Sequence, residues 1–269
     1  MNSMKVSDFD LEKTLKCGQL FRYEEINDFY LISHRDKLFK IKQEKDRLLF
    51  SGTTQEFITD FFRLDDDYNT IIESISQDDF MRAVIDEHYG MRIIRQDPWE
   101  CLISYLCSAR KSIPGIKQNL SMICEKFGKS VSHGEYKGFS FPVPGEISDH
   151  DALRACKVGF RSKYIHGVNR TIDDKMLIAL RDKSYEEAKA ELQKMEGVGD
   201  KISDCISLFS LDKLDAFPVD TWIRKGMTEQ YFSGEKTTDK KIKAFASDHF
   251  GKFRGYANQH IFFHWRTVY

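Results

Sequence analysis

Two glycines, a lysine and an aspartate close together in the second half of this chain are the residues best suited to chemistry. Gly197 and Gly199 flank Val198, so the backbone there can turn sharply and take positive φ with no Cβ in the way. Glycines also let backbone N–H groups approach a phosphate closely, and a helix starting just after them presents its free donors and positive dipole end to the same anion. Lys201 falls at the start of that helix, where the dipole disfavours an ammonium and so favours a neutral amine. A neutral amine is what nucleophilic catalysis requires. Further on, in Phe217-Pro218-Val219-Asp220, Pro218 stops one element and Asp220 can cap a helix beginning at Thr221. A buried carboxylate beside a lysine can also orient the amine and stabilise positive charge developing at the anomeric carbon of a sugar. Each residue has a plainer reading as well: a compact connection between helices, a phosphate-contacting lysine, a simple cap.

These residues need elements to position them. The stretch 185–211 reads as helix, tight hairpin, helix, the helix-hairpin-helix pattern that grips a DNA backbone without reading sequence. Asp97 followed by Pro98 marks another helix start, and the helix expected over 99–109 carries Leu102, Ile103, Leu106 and Cys107 on one face. Towards the N-terminus, runs of strand character at 29–34, 38–42 and 48–51 are separated by Arg35-Asp36 and Lys45-Asp46, which predicts a small antiparallel sheet. After Gly52 the apolar spacing becomes helical, through Phe57, Phe61 and Leu64, then Ile71, Ile72 and Ile75, then Phe80, Val84 and Ile85. The polar, Gly/Pro-containing stretch 133–145 is expected to be a loop or crossover. The fold class is therefore α+β, mainly α.

Composition bounds the function. With 41 Lys+Arg against 42 Asp+Glu over 269 residues the net charge is -1, which excludes a histone-like or polybasic binder. The total hides an asymmetry: residues 1–95 hold 14 basic and 19 acidic side chains, or -5, while residues 96–269 hold 27 and 23, or +4. At 41% hydrophobic and 31% charged residues the chain is globular and not disordered. The six cysteines include no C-x-x-C pair, which argues against a zinc ribbon, a dithiol redox site or an iron–sulfur cluster and for free buried thiols. The start MNSMKVSDFDLEK lacks the pattern of a signal peptide and the apolar runs are short, so the expected location is the cytoplasm.

Gly197-Val198-Gly199, Lys201 and Pro218-Val219-Asp220 together resemble the helix-hairpin-helix DNA glycosylase superfamily. Three longer stretches, IRQDPWECL from Ile94, SYEEA from Ser184 and VGDKISDCI from Val198, are similar to 8-oxoguanine DNA glycosylase/lyase, as is CGQLFR from Cys17. The likeness covers nearly the whole chain and is closest to the bacterial branch. It implies an N-terminal antiparallel sheet domain with helices over 1–90 and a helical domain of two subdomains over 91–269, the active site lying between the helical parts.

The implied activity is extrusion and excision of 8-oxoguanine from duplex DNA, followed by strand cleavage 3′ of the abasic site. The resemblance makes Lys201 the nucleophile, forming a Schiff base, and Asp220 the essential acid. It sets the Gly18 carbonyl against the lesion's N7 proton, Cys205 and Phe262 on either side of the base, and Asn258 towards its pairing edge. Gly197, Val198, Gly199 and Trp222 would meet DNA phosphates, while Arg110, Phe160 and Arg161 would face the gap and the opposite base. Where eukaryotic relatives carry an asparagine run, this chain has Ala109-Arg110-Lys111-Ser112, and Gly115 stands in place of their arginine that contacts cytosine. Relaxed selectivity for the opposing base is therefore expected, as is a weakened 5′-phosphate contact where Trp222 replaces a histidine. Duplex DNA containing 8-oxoguanine is the expected partner, with no metal or organic cofactor, no membrane and no obligate protein partner.

Rival assignments are an endonuclease III-type or adenine-excising glycosylase, which usually has a C-terminal four-cysteine cluster, and an alkyl-base glycosylase, which lacks a lysine at position 201. This chain has no cysteine after Cys205. A non-catalytic helix-hairpin-helix DNA-binding protein, or a glycosylase for another damaged base, remains the alternative.

Overall fold

The computed structural model of the protein describes residues 1–268. The N-terminal part interleaves β1 (Asn2–Lys5), α1 (Leu11–Lys16), β2 (Tyr23–Ile26), β3 (Phe29–His34), β4 (Lys37–Glu44) and β5 (Arg47–Ser51). Helices α2 (Gln55–Phe61), α3 (Tyr68–Ile75) and α4 (Asp79–Glu87) follow, then α5 (Pro98–Ser108) and α6 (Ile113–Phe127). A hairpin of β6 (Ser130–His133) and β7 (Tyr136–Phe139) precedes α7 (His150–Leu153), α8 (Ser162–Thr171), α9 (Asp174–Ala179), α10 (Tyr185–Gln193) and α11 (Asp200–Ser210). The chain closes with α12 (Thr221–Tyr231), α13 (Asp239–Phe250) and α14 (Arg254–Val268). The expected class, an antiparallel sheet followed by helices, is the one observed.

The five strands run in the order β1-β5-β4-β3-β2, every pair antiparallel. The alternation in β4 and β5 aims Phe39, Ile41, Leu48 and Phe50 at one face, where they meet Leu15, Phe61 and Phe62 in a first core. A second, larger core gathers Phe21 and residues from α3 onward, including Tyr68, Trp99, Phe217, Phe250 and Tyr256.

The stretch 133–145 departs from the expected loop, because its first half is β7 of the hairpin. Strands of four residues with alternating exposure carry too little periodicity to register, and the pairing His133↔Tyr136 across Gly134-Glu135 is held from outside. Tyr136 packs edge-on against Phe29 at 5.5 Å, and His133 Nε2 lies 2.8 Å from Ser51 Oγ.

Buried polar contacts join the two cores. Gln19 donates to the Arg92 carbonyl at 2.7 Å and accepts from Ile94 N at 2.8 Å, and Gln96 donates to the Gln19 carbonyl at 2.9 Å. Asp97 caps α5 by accepting from Glu100 N at 2.9 Å, while Glu100 pairs with Arg22 at 3.1 Å and accepts from Arg35 N at 2.8 Å. Gln19, Gln96, Asp97 and Glu100 are buried, and each has a hydrogen-bond partner, as buried polar groups require. All six cysteines are free and buried, as the composition predicts. Among the described residues no helix is long and apolar enough to cross a membrane.

Candidate active site

The turn between α10 and α11 is set by its glycines. Ser184 and Glu187 form a reciprocal capping box at the start of α10. After α10, Gly197 takes φ +89°, and a Cβ there would sit 2.5 Å from the Tyr164 ring, so both backbone and space demand glycine. Gly199 is the N-cap of α11 with open space around it. Val198 between them is buried in the larger core, and its N–H donates to the Met195 carbonyl at 3.1 Å. Gly199 and the first residue of α11 are exposed, while the buried valine anchors the turn.

Lys201 is the second residue of α11 and half-buried, its Nζ 5.2 Å from the centre of the Tyr105 ring. Tyr105 stacks in turn on Phe209, at 5.6 Å and nearly parallel. One helical turn beyond Lys201 lies Cys205, whose thiol burial pushes up to about 12 against the opposing pull of the Lys201 charge. Burial thus favours the neutral thiol. Asp220 caps α12, its Oδ1 accepting from Ile223 N at 2.8 Å. Burial raises its pKa above the ordinary carboxylate value, opposed by the backbone N–H groups of Ile223 and Trp222 and by the positive charge of Lys201.

These groups open onto one cavity of about 940 Å³. Gly18, Lys201, Cys205, Asp220, Asn258 and Phe262 all line it, together with Arg110, Gly197, Gly199 and Trp222. It lies at the upper end of the range for small-molecule clefts, roomy for one nucleotide. Gly18 takes φ +93°, and a Cβ there would lie 3.1 Å from Phe262 Cε1 and 3.3 Å from Ile113 Cδ1. The positive φ and these close approaches both favour glycine. The Asn258 amide donates to the Pro218 carbonyl at 3.0 Å, which ties α14 to the segment that carries Asp220.

Three predicted residues stand apart from this cavity's lining: Val198, Phe160 and Arg161. Phe160 is 54% exposed and covers the Arg161 guanidinium, whose carbon lies 4.6 Å from the ring centre. Arg161 itself is buried, donating to the Val158 carbonyl at 3.1 Å and to the Ala109 carbonyl. It braces from behind the loop in which Arg110 takes φ +52°. Sequence reasoning passed over Tyr105, Gln259 and Arg266, which also line the cavity. The signal for the last two was their spacing around Phe262, which places 259, 262 and 266 on one face of α14. Among the described residues, Glu87, His88 and His264 have atoms spaced to hold a metal ion, and none of them lines the cavity.

The chain is similar to several known proteins. The family model described as 8-oxoguanine DNA glycosylase, N-terminal domain, matches residues 2–102. A probable N-glycosylase/DNA lyase of Methanothermobacter thermautotrophicus is 28% identical over a 300-residue alignment covering 97% of this chain and 95% of that protein. MBOgg1, solved in complex with a low-affinity DNA ligand, superposes with a TM-score of 0.94 at 32% identity, covering 99% of this chain and 95% of the other. The Clostridium acetobutylicum 8-oxoguanine glycosylase/lyase, in complex with double-stranded DNA containing cytosine opposite 8-oxoG, gives 0.92 at 30% identity, covering 100% and 98%.

Proposed function

This chain belongs to the 8-oxoguanine DNA glycosylase/lyase family, and on that premise we propose that it cleaves the glycosidic bond of an extruded 8-oxoguanine through Lys201. It is a bifunctional N-glycosylase/DNA lyase whose partner is duplex DNA bearing the lesion. The single observation that carries the residue assignment is that Lys201, Asp220, Cys205 and Phe262 line one cavity of nucleotide size.

Extruding the nucleotide from the duplex costs on the order of a few kcal/mol in lost stacking and pairing. The cavity offsets this by stacking the base on Phe262, with Cys205 on the opposite side; stacking on an aromatic ring contributes about 1–3 kcal/mol. The Gly18 carbonyl accepts the N7–H that 8-oxoguanine has and guanine lacks. A lone pair opposed to that carbonyl costs about 1–3 kcal/mol, enough to favour the lesion. Asn258, whose amide already engages the Pro218 carbonyl, has its side-chain oxygen left for the pairing edge.

Lys201, as the free amine, attacks C1′; the C1′–N9 bond breaks, and the departing base takes the bonding electron pair and then the proton that the newly bonded nitrogen releases. Asp220, charged and held by the α12 N-terminus, stabilises the positive charge that develops at C1′. Ring opening gives an imine between Lys201 and the sugar. The imine acidifies C2′, and loss of that proton expels the 3′ phosphate by β-elimination. Gly197, Gly199 and the α11 N-terminus receive a DNA phosphate as a helix-hairpin-helix, with Val198 anchoring the turn and Trp222 at the adjacent rim. Arg110 enters the gap left by the base, and Phe160 and Arg161 support that loop facing the opposite strand. The enzyme acts where the genome lies, which for the bacterial branch it resembles is the cytoplasm, at the nucleoid.

Borohydride reduction in the presence of 8-oxoguanine duplex tests the nucleophile. The wild-type chain is expected to form a covalent protein–DNA complex and Lys201→Gln to form none. Failure of the wild type to be trapped, or equal trapping of the variant, overturns the assignment.

A further inference from the structure

Two side chains of α14 that no motif singled out reach back to the segment before Gly18. Gln259 Nε2 donates to the Cys17 carbonyl at 2.9 Å, and Arg266, two turns further along the same face, donates through Nη2 to the Lys16 carbonyl. Phe262 stands between them on that face. The Arg266 guanidinium carbon lies 5.4 Å from the Phe262 ring centre and 5.4 Å from that of Phe263. Its Nη1 is 2.5 Å from where a Cβ on Gly18 would be. No ion pair joins Arg266 to a carboxylate among the described residues, although it is half-buried at the cavity wall. A desolvated cation with no acid partner is costly. Here it is held by two aromatic rings of its own helix and by a backbone carbonyl of the segment that leads into Gly18.

We propose that Arg266 is a positioning residue for lesion recognition, which fixes the Gly18 backbone against the edge of the Phe262 ring on which the extruded base stacks. The inference rests on the proposed function, which takes the Phe262 ring as one wall of the base pocket and the Gly18 carbonyl as the acceptor at the edge of the base. A guanidinium suits the task because it is planar: it can lie over aromatic rings while its N–H groups donate in its own plane. An ammonium can donate from beside a ring but has no flat face to lay over it and no fork of fixed donors. Displacing a positioned group by about 1 Å can slow a reaction by as much as roughly a hundredfold.

A preformed abasic site separates this role from general stability, because it presents the sugar to Lys201 and no base to the walls. Single-turnover excision of 8-oxoguanine from duplex is compared with strand cleavage at an abasic site for the full chain, Arg266→Met and Arg266→Lys. Both variants are expected to lose about tenfold or more in excision while abasic cleavage stays within about twofold, at an unchanged melting temperature. Arg266→Lys keeps charge and length, so it serves even where the methionine variant folds poorly. Parallel loss of both activities, or no loss of either, overturns the proposal. If the wild type cleaves abasic DNA yet removes no 8-oxoguanine, the lesion assignment itself fails, and this inference falls with it.

Discussion

Asp220 does two jobs in the structure, and two substitutions separate them. Its Oδ1 accepts from Ile223 N at 2.8 Å as the cap of α12, while its charge faces the cavity near Lys201. Asp220→Ala removes both functions; Asp220→Asn keeps an acceptor oxygen of the same reach and removes only the charge. Loss of an N-cap costs about 1 kcal/mol, which for a chain of this size lowers Tm by about 2–4 °C. The asparagine variant avoids that loss. It also gains, because burial raises the Asp220 pKa: the native carboxyl holds its proton more tightly than the unfolded one, so its stabilising effect is present at acid pH and disappears as pH climbs through the raised value. At pH 7 the native state therefore carries the cost of a buried anion that asparagine lacks. Asp220→Asn should melt at or above the wild-type temperature and about 2–4 °C above Asp220→Ala, which is equally free of the buried anion but lacks the cap. Excision should behave differently, falling by about 10²–10³ in both, the magnitude typical of removing one preorganised electrostatic group. Thermal melts at pH 7 and single-turnover excision on 8-oxoguanine duplex read the two quantities. The reasoning is refuted if Asp220→Asn keeps excision within about tenfold of wild type, or if it destabilises as much as Asp220→Ala.

Excision rates opposite cytosine, thymine, guanine and adenine should agree within about tenfold, since Gly115 offers no side chain to cytosine; a strong cytosine preference sinks this expectation. Gly18→Ala forces a side chain onto φ +93° with its Cβ 2.5 Å from Arg266 and 3.1 Å from Phe262, so it should cost about 1–3 kcal/mol in stability and reduce 8-oxoguanine excision more than cleavage of abasic DNA. An unchanged melting temperature with unchanged excision contradicts it. Burial in the core pulls His260 down to about 3 from 6.5, so the native state keeps it neutral while the unfolded chain protonates it; stability from this residue is present above pH 6.5 and lost as pH falls towards 3. Urea denaturation of His260→Leu should therefore show a flatter loss of stability between pH 6 and pH 4 than wild type, and an identical slope rejects the account.

Local pattern was enough for the elements whose own residues carry a strong period or stop signal. The strand run 29–34 coincides with β3, Asp97-Pro98 does open α5, and Asp220 does cap α12, because each depends on neighbours a few residues away. The strands β1 and β2, with exposed residues such as Glu24 and Glu25, and the hairpin of β6 and β7 left no such mark; each is four residues long and is held by pairing with distant chain. By itself the sequence determined the identity of the chemical groups and the helix ends that present them: glycines before α11, Lys201 in its first turn, an aspartate before α12. Only the tertiary structure decided what those groups meet. It turned Arg161 inward onto the Ala109 carbonyl, sank Val198 into the core, and joined the Asn258 amide to Pro218. It also laid Gly18 against Phe262 and Arg266, residues from opposite ends of the chain. A residue's backbone conformation follows from its immediate neighbours, whereas the wall of a cavity is made by packing helices and strands whose contacts no local period records.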